Sequence, residues 1–292
     1  MQLTISGYST ALFSTWYFID ELGLLLDAGD GLMSSLLQKS RKIKHVFISH
    51  ADRDHLTGLL QFNQLNARPG FPIIYYPKNS ASFPALENFS KQFDAQVAQT
   101  IWTPIGNGEE INIRKDVIVQ AIRNEHVPIE KDIIKSLSYK VFQTKQKVKE
   151  EYLKLNPEEL KNIILAKGKE ITTEEVRTNI LSYSGDTPVE DLSRWDNSEI
   201  LIHEATFLDG DEAPKERNYG NKHSKLEEVF QMVSQLNIGT LILGHFSSRY
   251  SAEQIKERIQ LLSNKYGVRF PVLAVMPGQT IENILKSPPI NK

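Results

Sequence analysis

Two histidines and two aspartates fall within six residues of the stretch HVFISHADRDHLTGL (45–59): His50, Asp52, Asp54 and His55. The whole chain has seven histidines, so two in one short loop call for a chemical reason. In extended backbone, residues i and i+2 point the same way, so His50 and Asp52 can reach one point in space. Asp54 and His55 follow as the chain turns into a helix and can face a second point. Imidazole nitrogens and carboxylate oxygens are ligands for divalent metals. Two ions about 3.5–4 Å apart share an oxygen ligand and can clamp one reacting group between them.

The remaining histidines repeat the theme. His126 follows VIVQAIRNE, His203 closes EILI and opens His-Glu-Ala-Thr with Glu204, and His245 ends TLILG. His223 sits in the polar loop NYGNKHSK (218–225), and Asp186 follows NILSYSG. Strand ends along one edge of an α/β sheet converge in space, so these side chains can share a site. Packing favours apolar residues at such positions, and the joint pattern therefore points to a metal centre. A carboxylate such as Asp186 suits a bridging position, because its two oxygens can split between ions. His45, at the start of its strand, reads as an ordinary hydrogen-bonded residue.

The elements that must position these groups alternate. LTISG (3–7), STWYFI (14–19), LGLLLDAG (22–29), HVFIS (45–49) and FPIIYY (71–76) read as strands. So do DVIVQAI (116–122), NILSYS (179–184), EILIHEA (199–205) and TLILGH (240–245). Residues 32–38, 56–65, 224–236 and 251–266 carry apolar side chains at helical spacing. Strands apolar on both faces need a layer on each side, which implies an α/β protein with helix-covered sheets. Residues 131–177 differ. They hold eleven Lys and Arg against eight Asp and Glu, with a helix-like stretch at 157–170, and read as an insertion protruding from a single domain spanning 1–292.

Composition narrows the chemistry. With 34 basic and 36 acidic residues the net charge is −2, so no bulk basicity advertises nucleic-acid binding. The absence of cysteine removes disulfides and thiolate sites, leaving His, Asp and Glu as ligands. The first residues show no basic segment leading into an apolar core, and no apolar run approaches 18 residues. A cytoplasmic protein without a membrane span is the expectation.

The order His-x-Asp-x-Asp-His, His126, Ser-Gly-Asp186-Thr, His-Glu-Ala-Thr, the His223-Ser224 turn and Gly-His245-Phe-Ser-Ser-Arg-Tyr resembles the metallo-β-lactamase superfamily. More narrowly it resembles the ribonuclease Z branch. LAKGKEI (165–171), ahead of SYSGDT, is similar to the Leu-Lys-x-Gly-x-x-Val element of that branch. The resemblance covers nearly the whole chain. It implies a four-layer αβ/βα metallo-β-lactamase sandwich with a helical insertion, a homodimer, and two zinc ions in a cleft at one edge of the sheets. It implies phosphodiester hydrolysis by a metal-activated water, typically in 3′ trimming of tRNA precursors. Carried over by position, one ion would take His50, Asp52 and His126. The other would take Asp54, His55 and His245, with Asp186 between them. Asp54 would also orient the attacking water, His223 falls at the family's proton-donor position, and Glu204 and His203 lie in the supporting His-Glu-Ala-Thr loop.

Three departures qualify the resemblance. The family has His where Asp52 stands; a carboxylate is harder and anionic, weakens the Lewis acidity of its ion and tilts the site toward manganese or iron. The family's Gly-Thr-Gly-Ser turn is replaced by SGYSTALFST (6–15). Residues 131–177 contain one glycine and no Gly-Pro pair, unlike the tip of the family's tRNA-binding arm. Two competing readings follow: hydrolysis of a small cyclic phosphodiester or lactone, or a catalytically silent metal-binding protein. Hydrolysis of bis(p-nitrophenyl) phosphate separates enzyme from silent binder, and pre-tRNA cleavage separates the two hydrolases.

Overall fold

The structure is a computed structural model that describes residues 1–208 and 222–292. Six strands cross the first sheet in chain order: β1 (Ile5–Thr10), β2 (Ser14–Ile19), β3 (Leu24–Leu26), β4 (His45–Phe47), β5 (Ile73–Pro77) and β6 (Ile101–Ile105). The second sheet also follows chain order. It runs from β7 (Glu110–Arg114) through β8 (Val117–Arg123), β9 (Leu137–Val148), β10 (Thr173–Tyr183), β11 (Ser198–Glu204) and β12 (Ile238–Gly244) to β13 (Val272–Ala274).

Strand alternation sorts side chains into three apolar layers, which is what four structural layers require. Tyr17, Ile19, Leu24, Leu26 and Phe47 of the first sheet meet Val119, Tyr139, Val141, Leu181, Ile202 and Ile242 of the second. Their neighbours Trp16, Phe18, Leu25 and Val46 point the other way, onto α1 (Leu32–Leu36), α3 (Leu59–Asn66) and α4 (Ser82–Ser90). On the far side, Leu201, Leu241 and Leu243 pack on α7 (Leu226–Val233) and α8 (Ala252–Tyr266). The architecture is the expected α/β sandwich. α8 is bounded as its sequence suggests: the Ser251 hydroxyl caps the Gln254 N–H at 3.2 Å, the Gln254 side chain answers at 2.8 Å, and Gly267 ends it at φ +65°.

Several local features differ from the sequence reading. The helix expected at 56–65 begins earlier, as α2 (Arg53–Leu56), and breaks before α3. Gly58 lies at the break because its backbone presses on the end of β3; a Cβ there would stand 2.2 Å from the Gly29 carbonyl oxygen. That contact fixes the loop bearing Asp54 and His55 against the sheet. The helix expected at 157–170 is found as α5 (Pro157–Lys167) and α6 (Lys169–Thr172). Asn156 caps the N–H groups of Glu158 and Glu159 at 3.0 and 2.9 Å, with Pro157 in the first turn. The flanks of that insertion are strands the sequence reading did not assign. β8 accompanies β9 only as far as Gln143, whereas β9 and β10 stay paired out to Val148 and Thr173. The outer halves of β9 and β10 thus form a two-stranded ribbon tipped by α5 and α6.

Candidate metal centre

The C-terminal ends of β3, β4, β8, β10, β11 and β12 deliver the polar residues to one edge of the two sheets. Asp52 is extended (φ −72°, ψ 144°), as reaching one point together with His50 requires, and α2 then presents Asp54 and His55. Gly185 at φ +58° turns the chain after β10; a Cβ there would lie 2.8 Å from the Ser49 Cβ. His245 and Asp27 adopt positive φ of 58° and 55°, a conformation non-glycine residues hold mainly where a site demands it.

The polar atoms fall into overlapping groups. His50, Asp52 and His126 form one, Asp54, His55 and His245 another, and Asp186 joins His50 and His55 in a third. His50 Nε2 lies 3.6 Å from Asp52 Oδ2, and His126 Nε2 lies 3.5 Å from the same oxygen. His245 Nε2 and His55 Nε2 stand 3.3 and 3.6 Å from Asp54 Oδ2. Asp186 Oδ2 is central, at 3.2 Å from His245, 3.3 Å from His55 and 3.7 Å from His50. Ligands about 2.0–2.2 Å from a tetrahedral ion stand roughly 3.4 Å from one another. The separations observed here are on that scale.

Hydrogen bonding behind the rings sets their tautomers. The Lys222 carbonyl can only accept, so His126 Nδ1, 2.8 Å away, carries its proton. The Ser49 hydroxyl donates to Asp27 at 2.8 Å, so it accepts from His50 Nδ1 at 2.9 Å. The Thr206 hydroxyl donates to Glu204 Oε2 at 2.5 Å and accepts from His245 Nδ1 at 2.9 Å. His55 Nδ1 donates to Asp27 at 2.7 Å. Each of the four rings therefore holds a proton on the outer nitrogen and turns Nε2 inward. His50 Nε2 and His126 Nε2 are buried with no hydrogen-bond partner, which is costly unless a cation completes them. The donor set and these orphaned nitrogens fit divalent metal ions.

Electrostatics agree. Burial would push the His55 pKa down, but Asp186 and Asp27 outweigh it and hold the ring well above its usual value. Burial likewise disfavours the charged form of Asp186, yet His245 and His55 keep it well below the usual carboxylate range. The neighbouring His126 and His50 hold the Asp52 carboxylate ionised, well below its usual range. A field that retains positive charge in a buried place suits cations.

His223 and Glu204 form the rim of this cluster. Glu204 Oε1 accepts from His223 Nδ1 at 3.1 Å and from the Thr187 N–H at 2.7 Å. Burial lowers the His223 pKa, but Glu204 and Asp186 more than offset it and raise it to about 9. The start of the loop 218–225 lies outside the described residues. His203 stands apart from the other sequence-predicted residues. Its Nδ1 pairs with the Glu204 carbonyl at 2.7 Å, and its ring lies edge-on to Trp195 at 6.1 Å. The sequence reading missed Asp27, which is fully buried beneath His55, accepts the Ser49 N–H at 2.6 Å and the Tyr183 hydroxyl, and closes an all-leucine strand. An aspartate ending LLLD was the available signal. Thr206, the relay between Glu204 and His245, was also missed. His45 is the structural residue expected, stacked on Tyr75 at 6.1 Å.

A polar cavity of about 560 Å³ flanks the cluster, lined by Arg123, Lys131, Lys140 and Arg194 with Glu190 and Asp191 among their neighbours. Glu190 ties it to the site, accepting the Glu125 N–H at 2.8 Å and the Thr187 hydroxyl at 3.1 Å.

Two helix-backed sheets with histidines and carboxylates at one edge define a metallo-β-lactamase-fold, metal-dependent hydrolase. The fold is shared with the metallo-beta-lactamase fold protein YhfI from Bacillus subtilis (TM-score 0.63, 14% identity, 97% of this chain and 100% of that one). Human tRNase Z, short form, shares it too (TM-score 0.56, 18% identity, 85% and 94%). No protein-family profile matches the chain. In sequence it is 30% identical over 228 residues to a tRNase Z of Arabidopsis thaliana, covering 74% of this chain and 77% of that protein. It is 28% identical over 285 residues to the ribonuclease Z of Methanocaldococcus jannaschii, covering 85% and 84%. The chain belongs to the ribonuclease Z family. Among the described residues no helix is long and apolar enough to cross a membrane.

Proposed function

We propose that the chain is an endoribonuclease that cuts RNA phosphodiesters, as in the 3′ maturation of tRNA precursors, with two divalent ions per chain. His50, Asp52 and His126 would hold one, Asp54, His55 and His245 the other, and Asp186 would lie between them. The observation that carries this reading is the set of four imidazoles protonated on Nδ1 and turned Nε2-inward on three carboxylates. Each group offers two imidazoles and one carboxylate, a donor set that takes zinc, manganese or iron. Bound ions supply a water of lowered pKa and charge to stabilise the phosphoryl oxygens.

The chain's own residues do the rest. Asp54 accepts a hydrogen bond from the Leu12 N–H at 3.0 Å, and its carboxylate can orient an attacking water. His223, braced by Glu204, can give a proton to the departing oxygen. Dications nearby would draw its pKa down from about 9 toward neutrality, where a general acid works best. His203 would support the site by holding the backbone of the Glu204 turn. The cations of the flanking cavity offer places for the phosphates of a substrate strand. Residues 1–292 would act as one domain with 131–177 as its RNA-facing arm, in a cytoplasmic homodimer as the family resemblance implies.

One feature favours a second reading, a small phosphodiester substrate. The arm has no Gly-Pro tip, and across the ribbon Lys147 stands opposite Glu174, which offsets its charge. Protein loaded with zinc or manganese should hold about two ions per chain by elemental analysis and hydrolyse bis(p-nitrophenyl) phosphate. A count near one sinks the dinuclear assignment. Accurate 3′ cleavage of pre-tRNA supports the RNA reading; hydrolysis of the model diester with no pre-tRNA cleavage moves the assignment to a small substrate.

A further inference from the structure

The turn between β1 and β2 is an unusual place for large apolar side chains. Leu12 is 88% exposed and Phe13 60% exposed. Leu12 also sits at φ +69°, a region that glycine or asparagine occupies far more readily than a branched aliphatic residue. Folding gains almost nothing from Leu12 and only part of what Phe13 could give, because the hydrophobic effect rewards burial. A conformation that disfavours the residue and an exposure that wastes it call for a reason outside the folding of this chain.

The turn is held rigidly against the metal centre. The Leu12 N–H donates to Asp54 Oδ2 at 3.0 Å, and that oxygen lies 3.3 Å from His245 Nε2. On either side, the Ala11 N–H donates to the Phe246 carbonyl at 3.1 Å and the Ser14 hydroxyl to the Asp30 carbonyl at 2.7 Å. The Gly278 N–H donates to the Thr10 hydroxyl at 3.0 Å. An apolar surface thus stands one residue from a group assigned to the ions, with its backbone already ordered. Binding on it would pay little further entropy. This is also the stretch where the sequence departs from the Gly-rich turn of the family.

We propose that Leu12 and Phe13 form a stacking surface for a nucleobase next to the scissile phosphodiester. Single-stranded RNA is held in this way elsewhere: unstacked bases lie on aromatic side chains, whatever their sequence. The phosphate would face Asp54 and the ions while the adjoining base covers the exposed ring and the Leu12 methyl groups. The inference rests on the RNA reading above and makes Leu12 and Phe13 determinants of which diesters are accepted.

The test uses the metal-loaded, full-length protein with L12N, F13S and the double variant. The probes are a uridine dinucleotide with a phosphorothioate linkage and two analogues, each lacking one of the bases. Binding is measured by calorimetry. The unaltered protein should bind the complete dinucleotide about five- to hundred-fold more tightly than one of the abasic analogues. In the double variant that preference should collapse to less than about two-fold. L12N should melt at or above the unaltered protein's temperature, since asparagine suits the left-handed backbone. No base preference in the unaltered protein, a preference that survives the double substitution, or an L12N variant that melts several degrees lower would each overturn the proposal. Failure of the RNA reading shows separately, as no cleavage of a uridine dinucleotide with an ordinary linkage, while the base preference is still read from binding.

Discussion

Asp52 and Asp54 are two residues apart, yet their surroundings differ sharply. The Asp52 side chain is 47% exposed; that of Asp54 is 9% exposed and accepts a backbone N–H. The difference extends to the histidines beside them. Behind His55 lies a fully buried anion, Asp27, and behind His245 the Thr206–Glu204 relay. Behind His50 the Ser49 hydroxyl passes on to the same Asp27, and behind His126 lies only a main-chain carbonyl. An anion at the outer nitrogen raises the basicity of the inner one and fixes the ring, so the second half-site should bind its ion earlier and more tightly. The first half-site, with a neutral carbonyl behind His126 and its carboxylate open to solvent at Asp52, should exchange its ion with solvent. One cluster of ligands need not act as one site.

The harshest test removes what the halves share. D186A takes away the oxygen that faces His50, His55 and His245 together. Both ions should be lost and hydrolysis of bis(p-nitrophenyl) phosphate should fall by about a thousand-fold or more, the scale on which metal sites lower barriers. Full occupancy by elemental analysis after this substitution would show that Asp186 does not join the halves.

A smaller effect should fall mainly on one half. D27N keeps the shape but removes the charge behind His55 and disturbs the hydrogen bonds from Ser49 and Tyr183. Affinity for the tighter ion should drop about 10- to 100-fold in a chelator competition. The buried network should also cost on the order of 1–3 kcal/mol of stability, read from denaturant unfolding of metal-free protein. Equal weakening of both ions would erase the distinction between the half-sites.

Legibility from the sequence followed the same physical lines. The seven residues proposed for the metals, which the structure brings together, were legible as a set because few side chains bind divalent ions and because their strands were plainly apolar. Asp27 was not, since a single aspartate after LLL also fits a turn, and only the packing of His55 onto β3 reveals its task. The inner half of β10 was legible as NILSY, whereas its outer half, TEEVRT, is largely exposed and carries no alternation to betray a strand. β9 fails likewise: Leu137, Tyr139 and Val141 alternate, and then QTKQKV turns polar on both faces. A ribbon with no sheet beneath it leaves no hydrophobic pattern in its sequence. The split between α2 and α3 depended on a backbone contact at Gly58 that periodicity does not record.

The mildest and sharpest change is D52H, which puts the family's ligand into the weaker half. Asp52 begins α2 but makes no side-chain capping hydrogen bond, so the helix should not suffer from its loss. At 47% exposure the position has room for an imidazole. A neutral ring donates less negative charge than a carboxylate, leaving its ion the stronger Lewis acid and the softer match for zinc. Zinc affinity at the first half-site should rise about ten-fold, any preference for manganese should fade, and the rate on bis(p-nitrophenyl) phosphate should increase with it. The two binding steps in a zinc titration should draw together. If affinity and rate instead fall together, His50 and His126 are arranged around a carboxylate, and the contrast between the half-sites is a property the chain maintains rather than a ligand it has lost.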